Sequence, residues 1–170
     1  MMISKKSILI FLAKLAEVYP IGNFNLAPGT LASFISMFIG FYLFKLLGLT
    51  NYIIFLFIFI LIGYLLCEIH ISIYKRKDPK EVVIDEFAGQ FIAVLSTISS
   101  ESIFITFLSL ISSFLLFRFF DITKIGPIKK FESLPGGVGI MADDVIAGLC
   151  AFIVQCGILT ALNQQILIRM

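Results

Sequence analysis

Among 170 residues the chain has one histidine, His70, no tryptophan and three cysteines, and only 14% of its residues are charged. One histidine excludes chemistry that passes a group between two of them. Cys67, Cys150 and Cys156 lie inside apolar runs, without metal-like or redox-like spacing, and no Cys-x5-Arg loop is present. Packing is the role that setting gives them. His70, near Glu68, is expected to hydrogen-bond locally. Charge is too sparse for a soluble domain, which carries about a quarter charged residues. No cleavable leader is expected, because no small-residue cleavage site follows the lysines and short apolar run of residues 1–14.

Apolar residues fill the gap. They make up 59% of the chain, with nineteen phenylalanines and a mean hydropathy of +1.06. Several runs reach the roughly 18 apolar residues that cross a hydrocarbon core of about 30 Å, and none shows the alternation of a membrane barrel. The fold expected is all-α: one polytopic membrane domain over residues 1–170, with about five membrane-embedded helices. The spans read as Leu31–Gly48, Tyr52–Tyr74, Val82–Ser99, Ile103–Phe120 and Val145–Ile168. Ser7–Tyr19, interrupted by Lys14 and Glu17, is too short to span comfortably and reads as an interfacial helix.

Basic residues sort to one side. Lys5, Lys6 and Lys14 precede the first span; Lys75, Arg76, Lys77 and Lys80 join the second to the third; Lys124, Lys129 and Lys130 join the fourth to the fifth. The polar turn Ser99, Ser100, Glu101, Ser102 on the other side holds no lysine or arginine. The positive-inside rule makes the basic side cytoplasmic, and five spans put the C-terminus outside. Asp85, Glu86, Asp121, Glu132, Asp143 and Asp144, six of eleven acidic residues, then gather at the cytoplasmic edge, with the Gly29-Thr30 turn.

Two helix entries share a form. VVIDEFAG and MADDVIAG each carry a carboxylate doublet with glycine one turn further in, Asp85 to Gly89 and Asp144 to Gly148. Small residues let membrane helices approach closely, which would bring the doublets together. One aspartate is explained by helix capping, but crowded carboxylates repel unless a cation or proton lies among them. All-oxygen ligands favour Mg²⁺ or Mn²⁺, and Mg²⁺ commonly shares its shell with substrate phosphate. A phosphorylated substrate is expected.

FRFFDITKIGPIKKFE adds Arg118, Lys124, Lys129 and Lys130 to Asp121 and Glu132. Arg118 and Lys124 read as partners for phosphate oxygens, or Arg118 as half of a structural ion pair; Lys129 and Lys130 fit a plain basic flank equally well. In PGGVG, Gly136 and Gly137 could offer backbone N–H groups to a phosphate, or form a plain loop. Thr30 in APGT could aim its hydroxyl at the same site. The remaining chemistry is metal-assisted attack on phosphorus with a carboxylate as general base, an aspartyl-phosphate being the minority alternative. A transporter or channel is the rival from another class, although transporter sites usually lie near the midplane. A membrane scaffold would leave the acids without a shared purpose. A phosphatidyl transferase acting on a CDP-lipid would carry an Asp-Gly-x2-Ala-Arg helix, which is absent.

APGT (Ala27 to Thr30), DPKEVVIDEFAG (Asp78 to Gly89), FRFFDITK with GPI, and Glu132 through PGGVGIMADDVIAG together resemble the phosphatidylglycerophosphatase A family. The motifs stand in that family's order over about residues 20–150. Two positions depart: Ile125 follows Lys124 where the family often has proline, and Ala32-Ser33 stands where it has Gly-Ser. The resemblance implies a bacterial inner-membrane, Mg²⁺-dependent enzyme that converts phosphatidylglycerophosphate to phosphatidylglycerol at the cytoplasmic face, with no nucleic-acid partner. Carried over by position, Asp85, Glu86, Asp121, Asp143 and Asp144 form the acidic core, with Asp85, Asp121 and Asp144 catalytic and Thr30 and Lys124 as companions.

Overall fold

A computed structural model describes residues 5–76, 79–97 and 102–168, with side chains to residue 161. Lys77, Asp78, Ser99, Ser100 and Glu101 lie outside the described residues. Every regular element among those described is helical: α1 (Lys5–Ala16), a 3₁₀ turn (Ile21–Asn23), α2 (Pro28–Tyr74), α3 (Ile84–Val94), α4 (Ile103–Thr123), α5 (Ile128–Glu132) and α6 (Gly136–Ile168).

Although 47 residues long, α2 is two limbs. Gly48 takes φ +70° and ψ 171°, a backbone that glycine adopts without a Cβ penalty. The chain folds back there: the rings of Phe44 and Tyr52 lie 5.3 Å apart, whereas eight residues of straight helix cover about 12 Å. Limbs 28–47 and 49–74 are the first two expected spans.

Among the described residues, three helices are long and apolar enough to cross a membrane: α2, α4 and α6 up to Ala161. That is fewer than the five spans expected, partly because α2 holds two of them. The third expected span is corrected. The regular helix between 82 and 99, α3, has 11 residues, about 16 Å of helix, shorter than a hydrocarbon core of about 30 Å. Its apolar run has another cause. Ile84 and every residue from Phe87 to Val94 are buried in the protein, so α3 is greasy because it is core. Tyr52 ties it to α2, donating its hydroxyl to the Phe91 carbonyl at 3.0 Å.

The connection from α4 to α6 also differs from a loop. Residues 128–132 form α5, and α6 starts at Gly136, so Asp143 and Asp144 lie two turns inside the helix rather than at its entry. Capping therefore does not explain them. His70 bonds across the fold, not locally: its Nε2 lies 3.3 Å from Glu17 Oε1. That contact fastens the end of α1 to the end of α2, and Glu17 also takes the neighbouring Lys14 ammonium at 2.6 Å. Outward, α1 presents Ile8, Phe11 and Leu15, as an interfacial helix would.

Where α3 crosses α6, Gly89 and Gly148 meet backbone to backbone. A Cβ on Gly148 would lie inside van der Waals contact with the Gly89 carbonyl, and one on Gly89 would strike Phe117 and the Asp144 carbonyl. Gly157, on the same helix, has open space around it. Gly148→Val should therefore destabilise the protein by roughly 1–3 kcal/mol or more through overpacking, whereas Gly157→Val stays within about 1 kcal/mol. Thermal unfolding of both variants in one detergent measures the contrast, and equal melting temperatures would show that the helices do not need this contact.

Candidate active site

Four helix ends converge at one end of the bundle. The start of α2 brings Gly29 and Thr30, the start of α3 brings Asp85 and Glu86, and the end of α4 brings Arg118 and Asp121. Lys124 follows directly, and the early turns of α6 bring Asp143 and Asp144. With Lys80, Lys129, Glu132 and Gly136 these residues line a cleft of about 660 Å³.

At its floor, carboxylate oxygens of Asp85, Glu86 and Asp144 all lie within 4.8 Å of one another. Asp144 is 3% exposed. One oxygen of Asp85 (Oδ1) and one of Glu86 (Oε2) are buried without any hydrogen-bond partner. Unpaired buried carboxylate oxygens are costly. Burial first, and then the carboxylates of Glu86 and Asp144, hold the Asp85 carboxyl well above the usual carboxylate range. Burial raises Glu86 as well. The arrangement calls for positive charge among the three.

Two cations serve the remaining acids. Lys124 Nζ lies 2.5 Å from Asp143 Oδ2, 3.1 Å from Asp121 Oδ1 and 3.7 Å from Asp144 Oδ1. Burial alone would lower the pKa of this ammonium, but the carboxylates of Asp144, Asp143 and Asp121 outweigh it and raise it above the ordinary lysine value. Lys124 ends α4 in the left-handed conformation, φ 48°, which turns the chain toward α5. Arg118 pairs with Asp121 one turn earlier and reaches Ser33 Oγ on α2 at 3.3 Å. Ser33, fully buried, donates to the Gly29 carbonyl at 2.7 Å. Gly29 faces the Glu86 carboxylate, which occupies the space a side chain would need.

The residues named from sequence are distributed as follows. Asp85, Glu86 and Asp144 form the tight group; Asp121 and Asp143 stand beside it, held by Lys124. Thr30, Arg118 and Gly136 line the cleft. Glu132 lines it too, but on exposed α5 and outside the tight group. Gly137 is buried, and its amide donates to Glu68 Oε1 at 2.7 Å rather than facing the cleft. Sequence reasoning passed over Ser33 and Glu68, since an isolated serine and a lone glutamate in an apolar helix carry no pattern of their own.

Residues 14–159 match the family model described as Phosphatidylglycerophosphatase A. A relative named phosphatidylglycerophosphatase A from Haemophilus influenzae is 39% identical over 153 residues, covering 89% of this chain and 91% of its own. One of the same name from Escherichia coli K12 is 30% identical over 146 residues, 85% of this chain and 79% of its own. A Bacteroides thetaiotaomicron protein, provisionally named a phosphatidylinositol-3-phosphatase, is 42% identical over 77 residues, 45% of this chain and 46% of its own. No solved structure matches the chain. Both the extent of the family match and its run through every wall of the cleft support one conclusion: the chain belongs to the phosphatidylglycerophosphatase A family.

Proposed function

We propose that the protein hydrolyses the terminal phosphate of phosphatidylglycerophosphate, with Asp85, Glu86 and Asp144 as ligands of Mg²⁺. The observation that carries this reading is the carboxylate trio with two partnerless buried oxygens. Those oxygens fit an unfilled hard-cation shell, and an all-oxygen donor set suits Mg²⁺. When bound, the ion neutralises phosphate charge and acidifies a water for attack on phosphorus. Lys124 lies within ion-pair distance of Asp121, Asp143 and Asp144 and holds them side by side. Asp121 or Asp143, adjacent to the trio, takes the proton of the attacking water. Lys80 and Lys129 line the cleft, and no carboxylate pairs with either among the described residues. Both are available for phosphate oxygens, beside the Thr30 hydroxyl.

A lipid phosphate lies at the headgroup plane, and the cleft opens at the end of a bundle of apolar helices. We read the protein as a multi-pass inner-membrane enzyme with this end in the cytoplasm. Lys75, Arg76, Lys80, Lys124, Lys129 and Lys130 lie toward it, whereas Lys45 stands near the Gly48 bend at the other end. That bias follows the positive-inside rule and would draw anionic lipid to the cleft. A transporter would gather its acids near mid-bundle, where α4 and α6 carry none.

Purified protein in detergent should release inorganic phosphate from phosphatidylglycerophosphate with Mg²⁺ and stop in EDTA, with phosphatidylinositol 3-phosphate the poorer substrate. No release with Mg²⁺ would remove the reading, and full release in EDTA would remove the metal. Asp144→Asn should lower kcat at least a hundredfold while the protein still folds; unchanged turnover would show that Asp144 is no ligand. Lys124→Met leaves three aspartates without their shared cation. It should lose roughly 3 kcal/mol of stability, as when one partner of a buried pair is removed, together with most activity. Calorimetry and the phosphate assay check both, and a variant as stable and active as the parent would mean that Lys124 does not hold the cluster.

A further inference from the structure

We propose that Glu68, which does not line the cleft, is a positioning residue that fixes the height of α6 and thereby aims Asp143 and Asp144; the inference rests on the metal-phosphatase reading above.

Glu68 sits on the second limb of α2, and its Oε1 accepts the Gly137 amide at 2.7 Å. Gly136 and Gly137 open α6, so the carboxylate faces the positive end of that helix and takes one of its free N–H groups. A protein carboxylate thus stands where a helix start would otherwise hold water or a bound anion. The contact is close on every side. A side chain on Gly137 would meet the Tyr64 carbonyl at 2.9 Å and both Cys67 Cβ and the Glu68 amide nitrogen at 3.0 Å. The first turn of α6 therefore rests on the backbone of α2, with Glu68 as its polar anchor.

Placement separates this from ordinary capping. At the starts of α2, α3 and α4 the N-cap residue's side chain makes no cap hydrogen bond, whereas α6 is held by a carboxylate from another helix. The tethered helix is the one carrying Asp143 and Asp144, six and seven residues beyond Gly137. Over that distance, about 10 Å, a helix is stiff, so a shift at its start is passed to the carboxylates. Asp144 must meet Asp85 and Glu86 within 4.8 Å, and an axial slip of an ångström or two would open that group. Glu68 acts through α6 and touches no reacting atom.

The test compares wild type, Glu68→Ala, Glu68→Gln and Glu68→Asp as full-length protein in detergent. Mn²⁺ binding is read from the free-ion electron paramagnetic resonance signal, and kcat and KM from phosphate release. Expected for Glu68→Ala is at least a tenfold weaker Mn²⁺ affinity and a tenfold lower kcat, with lipid KM within threefold. Glu68→Gln, whose amide oxygen can still accept the Gly137 N–H, should stay within threefold of wild type in both. Wild-type Mn²⁺ affinity and kcat in Glu68→Ala, even with a lowered melting temperature, would overturn the proposal. So would a Glu68→Gln as damaged as Glu68→Ala. If Glu68→Ala does not fold, Glu68→Asp decides, its shorter arm expected to weaken Mn²⁺ affinity and kcat three- to tenfold; wild-type values there refute the tether. Wild-type protein that binds Mn²⁺ but releases no phosphate would end the phosphatase reading alone, leaving the Mn²⁺ comparison to judge Glu68.

Discussion

Everything at the working end of this molecule depends on holding like charges together. Five carboxylates from three helices crowd the floor of one cleft, and among the described residues two cations reach them: Lys124, bridging Asp121, Asp143 and Asp144, and Arg118, paired with Asp121. Asp85 and Glu86 receive neither in a short contact, and each keeps a buried oxygen without a partner. Repulsion among such groups would splay the helices apart unless something outweighed it. The chain neutralises the α4 and α6 acids itself and leaves the α3 pair for a ligand. The proposed cation site rests on that asymmetry.

The fold brings the groups close by sacrificing bulk where helices cross. Gly89 and Gly148 allow α3 to lie directly on α6, and each is one turn beyond an acid of the trio. Because α3 is short and buried, its acidic start is reached from the bundle end while its apolar remainder fills the core against Tyr52, Leu56 and Ala32. Lipid does not need to solvate it. One helix serves as core and carries two of the proposed ligands, and its position is inseparable from the packing of α2.

Much of this was legible in the sequence. Doublets followed by glycine at i+4 implied helix contact at matched depth, and that contact exists. Gly48 marked the bend between the two limbs. The short length and burial of the third helix were not legible, because hydropathy records that residues avoid water and does not say whether lipid or protein surrounds them. Asp143 and Asp144 were mistaken for a helix entry because Pro-Gly-Gly reads as loop, yet α6 begins at Gly136 itself. Lys124 was read as a phosphate partner. It also bridges three aspartates from two helices, and no spacing rule reports that. Glu68 escaped notice because its significance lies wholly in Gly137, 69 residues away.

Register between α4 and α6 is fixed twice. At the cleft, Lys124 joins Asp121 of α4 to Asp143 and Asp144 of α6. Deep in the bundle, Gln155 of α6 donates its amide to both the carbonyl and the hydroxyl of Ser109 on α4, at 2.9 and 3.1 Å. Asp144 and Gln155 are eleven residues apart, Ser109 and Asp121 twelve. At 1.5 Å per residue those spacings agree to within about 2 Å, so antiparallel helices satisfy both contacts at a single axial setting. In an apolar interior any other setting would leave the glutamine amide without those partners, at a penalty of order 1–3 kcal/mol. A slip that spared the ion pairs would therefore break the amide bonds, and the reverse holds as well. The buried glutamine selects the alignment at which the acids of α4 and α6 arrive at the same height, and the cleft inherits its geometry from a contact past the middle of α6.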